Sequence, residues 1–145
     1  MKISKTVGYH LRNAQQSVSR MYNSYASQND ISISMAYVLL LLDKLDGKPS
    51  TQIGPDLGME ASSITRLMKT MEDKKLIEKK QDKYDGRQVN VFLTALGEKK
   101  KIVAKATIKG FNDILKKQIP KEELNAFLDT LDKINQLAED NYSNS

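Results

Sequence analysis

Apolar positions set the first expectations. Val7, Leu11, Ala14, Val18, Met21, Tyr22 and Tyr25 recur at about 3.5-residue spacing, the period of an amphipathic helix. Gln28-Asn29-Asp30 breaks that helix. Ser32 is placed to cap a second one over residues 33 to about 45, closed by Asp46-Gly47-Lys48-Pro49. The run 38–42 leaves this second helix almost no polar side, which predicts burial all round. A short third helix is expected over 50–58. A fourth, over 61 to about 74, carries Ile64, Leu67, Met68 and Met71 at i, i+3, i+4 and i+7, the signature of a core stripe.

The period then changes. Leu76-Ile77 and Val89-Asn90-Val91-Phe92-Leu93 read as two short strands, separated by a polar stretch, 79–88, that holds the tight-turn pair Asp85-Gly86. Thr94 is placed to cap a long helix over 95–118. Pro120 interrupts, and a last helix bears Leu124, Phe127, Leu128, Leu131, Ile134 and Leu137 on one stripe. The tail, 141–145, is expected to fray. No internal repeat or low-complexity segment is present. The fold class is therefore mainly α: a winged helix-turn-helix with a two-stranded β-wing, flanked by N- and C-terminal helices. Those terminal helices have apolar stripes with no obvious partner in a compact three-helix core. Pairing with a second copy covers them, so a homodimer is the economical expectation. Residues 1–30 and 102–145 would form the dimerisation region, and 31–101 the winged unit.

Composition excludes more than it adds. With 39% hydrophobic residues the chain can build a core, and 145 residues suit one unit with arms better than one with an added catalytic domain. There is no cysteine, hence no disulfide framework, thiolate zinc site or thiol switch. The longest apolar run, 36–42, falls far short of the roughly 20 residues that cross a bilayer, and polar residues follow Met1 where a signal peptide would be apolar. The expectation is a cytoplasmic protein with no membrane partner. Charge is uneven within the net +5. Residues 48–101 hold 12 basic and 8 acidic side chains, against 6 and 7 in 102–145. The middle of the chain is thus the part suited to a polyanion.

Chemistry follows from the same region. With Ile64, Leu67, Met68 and Met71 turned inward, the fourth helix leaves Ser62, Ser63, Arg66 and Lys69 on its opposite face and Thr65 at the edge. Short hydroxyls let a helix sit deep in a major groove, and arginine can hold guanine O6 and N7 bidentately or clamp a phosphate. The hairpin tip, Lys83-Tyr84-Asp85-Gly86-Arg87, presents two cations, and a protruding arginine suits the minor groove. Asp85 would repel phosphate. Its place beside Gly86 suits it to bond turn amides and orient the Arg87 guanidinium. A plain amphipathic helix and an ordinary charged hairpin are the bland alternatives for each element alone; their order and spacing favour duplex DNA.

Leu57-Gly58-Met59-Glu60-Ala61-Ser62-Ser63-Ile64-Thr65-Arg66-Leu67-Met68, then Leu76-Ile77-Glu78-Lys79, then Asp85-Gly86-Arg87-Gln88-Val89-Asn90-Val91-Phe92-Leu93-Thr94-Ala95-Leu96-Gly97 resembles the MarR (multiple antibiotic resistance regulator) family. Asp-x-Arg on the wing, a strand and Leu-Thr-x-x-Gly are its more specific parts. The resemblance implies a dimeric winged-helix transcription factor, usually a repressor, on a pseudo-palindromic operator. Interlocking terminal helices, and release by a small, often aromatic, ligand bound between them and the winged unit, are also implied. It places Ser62, Ser63, Thr65 and Arg66 in the major groove, Arg87 in the minor groove, and Asp85 as the holder of the wing. Three residues depart from the family pattern: Lys75 where glycine is usual, Lys79 where arginine is common, and Pro55 inside the third helix, which predicts a kink or an irregular start.

His10, Arg12, Met35 and Tyr37 lie on the helices that border the effector pocket in that family. Core packing for Met35 and Tyr37, and ordinary solvation for Arg12, are the alternatives. Arg20, Tyr9, Tyr22 and Tyr25 carry the same two readings, and the lysine run 99–101 is either solvated or near phosphate. One histidine cannot build a triad or a histidine metal cluster by itself. There is no Gly-rich phosphate loop, nucleophile elbow or metal-ligand spacing, so no enzyme and no cofactor are expected. The competing reading is a winged-helix protein–protein interaction module without specific DNA binding.

Overall fold

The computed structural model describes residues 1–144. It resolves into two compact units, Met1–Ile108 and Lys109–Ser145, with the division inside one long helix. The first unit opens with a short 3-10 turn, Ile3–Lys5, and then α1, Val7–Ala26. A second 3-10 turn, Ser27–Asn29, and a left-handed Asp30 (φ 56°) separate α1 from α2, Ile33–Leu41. Aspartate tolerates that backbone region, and the Asp30 carboxylate accepts from Lys74 Nζ at 2.8 Å. Ser32 caps α2 as its position predicts, its Oγ accepting the Met35 amide at 3.2 Å.

Helix α2 ends four residues before the expected 45. The Asp43 side chain takes the Leu45 amide at 2.8 Å, and the Asp43 carbonyl takes the Leu93 amide at 2.9 Å. A local aspartate turn and a distant strand thus compete successfully with continued helix. The chain then forms β1, Lys48–Pro49, an edge strand that the periodicity does not reveal. It pairs antiparallel with β3, Val89–Leu93, which pairs on its other side with β2, Ile77–Gln81. Strands β2 and β3 form the expected two-stranded wing, and β1 adds a third strand to its sheet. Proline is tolerated in β1 because it lies at the edge. Strand β2 also starts one residue late and runs to Gln81, well into the charged stretch expected to be loop. The ladder from Ile77 opposite Leu93 to Gln81 opposite Val89 supplies its backbone partners despite poor strand propensity.

Between β1 and β2 lie α3, Ser50–Leu57, and α4, Ala61–Asp73. Pro55 sits inside α3, which runs its eight residues and stops at Gly58, whose φ of 63° requires glycine or strain. Helix α4 also ends in a left-handed residue, but here it is Lys75 (φ 59°). The Leu76 amide bonds the Met71 carbonyl and the Lys75 amide bonds that of Glu72, both at 2.9 Å. This is a Schellman ending, and the usual apolar contact accompanies it as Leu76 and Met71 are both buried.

Met71, Met68 and Ile53 join Val38, Leu39, Leu42, Val91 and Leu93 in one core, with Ile64 and Leu67 packed at its margin. The α4 stripe is thus the inner face of the helix. Tyr37 is an exception to the expected all-round burial of α2, being 44% exposed. Thr94 caps α5, Ala95–Gln118, accepting the Gly97 amide at 3.0 Å. In the second unit, Pro120 precedes α6, Lys121–Ser143, whose first turn carries Glu122 and Glu123. The expected fraying of the tail is corrected in part, as 141–143 are helical; Ser145 lies outside the described residues. No described helix is long and apolar enough to cross a membrane.

Candidate nucleic-acid interface

Burying Met68 and Met71 turns the other side of α4 outward. Ser62, Ser63, Thr65, Arg66 and Lys69 are all exposed. Thr65 Oγ1 donates to the Ala61 carbonyl at 2.8 Å, so its hydrogen is used within the helix and only its lone pairs face a ligand. The frame holding this helix is tight at both ends. An added Cβ on Gly54 of α3 would lie 3.3 Å from Ile64 Cγ2, so the two helices meet closely there. Behind α4, Thr94 Oγ1 donates to the Lys75 carbonyl at 2.6 Å and the Thr94 amide to that of Leu76 at 3.1 Å. Gly97 is buried where any Cβ would overlap the Leu76 carbonyl oxygen. The start of α5 is therefore fitted against the end of α4.

The hairpin tip does turn at Asp85-Gly86, as that tight-turn pair predicts, but without a left-handed glycine. Gly86 has no positive φ. Asp85 instead opens a β-turn, its carbonyl taking the Gln88 amide at 3.0 Å and its Oδ1 the Arg87 amide at 3.0 Å. The expected amide bond is present. The expected hold on the guanidinium is absent, since no ion pair among the described residues involves Arg87. Gly86 contributes its carbonyl, which accepts from the Gln81 carboxamide.

The principal organiser of the wing is Asp82, which the sequence pattern does not single out. Its Oδ1 accepts the amides of Tyr84 (2.8 Å) and Asp85 (3.1 Å), and its Oδ2 the carboxamides of Asn90 (3.0 Å) and Gln88 (3.2 Å). The Tyr84 amide, then Asn90 and the Asp85 amide, hold this carboxyl below the ordinary carboxylate range. The available signal is an aspartate three residues before another at the mouth of a turn, with amide side chains at 88 and 90 to meet it.

Some cations are neutralised by carboxylates, and those on the outer face of α4 and at the wing tip are not. Lys48, Lys74, Lys80 and Lys109 pair with Asp56, Asp30, Glu78 and Asp113. Arg66, Lys69, Lys83 and Arg87 are exposed and form no ion pair among the described residues. In the lysine run, Lys100 and Lys101 donate to the carbonyls of Asn29 and Leu42 at 2.6 Å, and Lys99 is exposed.

The four pocket candidates separate. Met35 is core, 8% exposed. Tyr37 lines an open groove of about 640 Å³ with Val18, Leu57 and Met59. Arg12 lines an adjoining one of about 510 Å³ with Arg20; Gln15 and Ser19 are common to both. His10 lines neither, and its Nε2 lies 2.8 Å from the Ser4 carbonyl. Among the described residues no cluster of metal-ligating side chains occurs.

Helix, turn, second helix and hairpin, in that order and on one core, define a winged helix-turn-helix domain. Residues 31–89 match the model of the MarR family. Over 84 residues the chain is 30% identical to the HTH-type transcriptional regulator TtmR of Methylorubrum extorquens (strain PA1). That alignment takes in 58% of this chain and 43% of TtmR, so the chain spans less than half the length of that relative. The structure of the transcriptional repressor CouR bound to a 23-mer DNA duplex is 25% identical. It matches with a TM-score of 0.80 over 92% of this chain and 94% of that one. The S. aureus MepR–DNA complex, 24% identical, shares the fold with a TM-score of 0.85 over 92% and 98%.

Proposed function

We propose that this chain is a transcriptional regulator that binds a specific, pseudo-palindromic DNA duplex as a homodimer in the cytoplasm, acting as a repressor that a small ligand releases. The observation that carries the reading is that four cations on the outer face of α4 and at the wing tip, Arg66, Lys69, Lys83 and Arg87, are exposed and without ion pairs among the described residues. A cation already neutralised by a carboxylate releases no counterion from DNA; these four do. Ser62, Ser63, Thr65 and Arg66 are assigned to the major groove, Arg87 to the minor groove, and Lys69 and Lys83 to phosphate. Asp85 and Gly86 shape the turn that carries Arg87.

Residues 31–101 would be the DNA-binding region, with 1–30 and 102–145 pairing the two copies. Half-exposed Phe127, Leu128 and Leu137 on α6, and Val7 on α1, support that pairing, since such apolar surface favours a partner. For the ligand, the groove beside Tyr37 lies in the range of small-molecule sites, and Arg12 offers a cation for a carboxylate next to it. His10 and Met35 are not carried into this proposal.

Selection of duplexes from a random pool, repeated with added aromatic acids, tests the reading. An enriched two-fold sequence is expected, with half-sites about one helical turn apart and binding lost when an effective acid is present. Arg66→Ala should cost about 1–3 kcal/mol on the selected duplex and little on a scrambled one. A protein that enriches no sequence, and keeps its function with Arg66 and Arg87 neutralised, would instead be an interaction module.

A further inference from the structure

The wing tip holds an aromatic side chain that the assignments above leave idle. Tyr84 is 99% exposed, the most exposed of the six tyrosines, and it stands between Asp82 and the turn that carries Arg87. Its side chain is open to solvent but its backbone is fixed, because the Tyr84 amide donates to Asp82 Oδ1 at 2.8 Å and the next amide donates to the same oxygen. The Gln81 carboxamide, bonded to the Gly86 carbonyl, and the closing bond from the Asp82 amide to the Gln88 carbonyl at 2.8 Å hold the loop further. Most exposed side chains on a loop tip are costly to order on binding. A tyrosine on a fixed backbone has only two torsions to lose and offers a flat apolar face with a hydroxyl donor at its end. Lys83 and Arg87, exposed and without ion pairs among the described residues, flank it and make a polyanion the complementary partner.

We propose that Tyr84 is a DNA-contact residue, its ring lying against deoxyribose at the wall of the groove that Arg87 enters and its hydroxyl donating to a phosphate oxygen. The assignment rests on the DNA-binding reading and adds a contact to it. Because sugar and phosphate carry no sequence, Tyr84 contributes affinity to every duplex alike and sets the depth of the wing. Because the phenol is neutral, its contribution leaves the salt dependence of binding unchanged, unlike that of Lys83.

The test measures binding of wild-type, Tyr84→Phe, Tyr84→Ala and Lys83→Ala protein to the selected duplex and to a scrambled one, across a salt series. Tyr84→Ala should weaken both duplexes about tenfold with the slope of log K against log salt unaltered, and Tyr84→Phe should weaken them about threefold. Lys83→Ala should lower the steepness of that slope by about 0.9. Since the chain has no tryptophan, Tyr84→Trp gives a single fluorescent reporter, expected to become less quenchable by acrylamide when either duplex binds. Wild-type binding with Tyr84→Ala equally tight, or an indole in the Tyr84→Trp variant equally quenchable with duplex bound, overturns this assignment alone. Wild-type protein without affinity for any duplex overturns it together with the DNA-binding reading.

Discussion

Lys75 and Asp82 are the residues at which local physics is most exposed. Lys75 occupies the left-handed C′ position of a Schellman ending, where an L side chain costs about 1 kcal/mol or more and glycine costs little. Lys75→Gly should raise stability by about 0.5–1 kcal/mol, the gain reduced by the greater freedom of the unfolded chain, and a denaturant titration reads it directly. Asp82 has its carboxyl held below the ordinary range by the bonds it accepts. A lowered native pKa means that its contribution is present above the unfolded value of about 3.9 and fades as pH falls through the lower native value. Asp82→Asn keeps an acceptor but cannot titrate. Between pH 5 and 2, protection of the Tyr84 and Asp85 amides should therefore fall in the wild type and change much less in the variant. Hydrogen exchange or proton NMR measures both. Lys75 could be picked out from the sequence only through the family resemblance, which has glycine at that place. Asp82 was legible only in part: its bonds to the amides two and three residues on are local, but its partners at 88 and 90 become neighbours only when β2 and β3 pair.

Among the elements, those that follow from a local period or a local bond were legible. The stripe on α4, the Ser32 cap of α2 and the Thr94 cap of α5 each need only residues within one turn or two of one another. Strand β1 needs Asn90 and Val91, some 40 residues away, and the early end of α2 needs the Leu93 amide, so neither has a signature in its own stretch. In the site, the exposed cations of α4 and the wing were legible because apolar neighbours determine which face remains. The status of Met35 was not, because a methionine on a helix reads alike as core or as pocket wall. The junction of α4 with α5 gives the sharpest element-level test. Gly97 leaves no space beside the Leu76 carbonyl, so Gly97→Ala forces the start of α5 away from the end of α4. A loss of about 1–3 kcal/mol in a denaturant titration is expected, comparable to other overpacked sites. Gly8, with open space around it, is the control, and Gly8→Ala should be neutral or slightly stabilising.

At the scale of the whole molecule, the question is what the apolar stripe of α6 is for. Leu128 and Leu137 are 51% and 62% exposed, too apolar a surface to be left in water along a 23-residue helix without a partner. If a second copy covers them, replacing both by glutamate buries charge against apolar side chains and should dissociate the pair. Sedimentation equilibrium should then report the 16.4 kDa of one chain for the double variant and about twice that for the wild type. Pairing also multiplies the electrostatics. Each copy brings its own Arg66, Lys69, Lys83 and Arg87, so a dimer on a two-fold duplex releases about twice the counterions of a single copy, and the slope of log K against log salt scales with that number. The glutamate variant should bind with about half the wild-type slope and lose its preference for duplexes with two half-sites over those with one, although no residue of α4 or the wing has been altered. A wild-type protein of single-chain mass, or a double variant with an unchanged slope, would separate the α6 stripe from DNA binding.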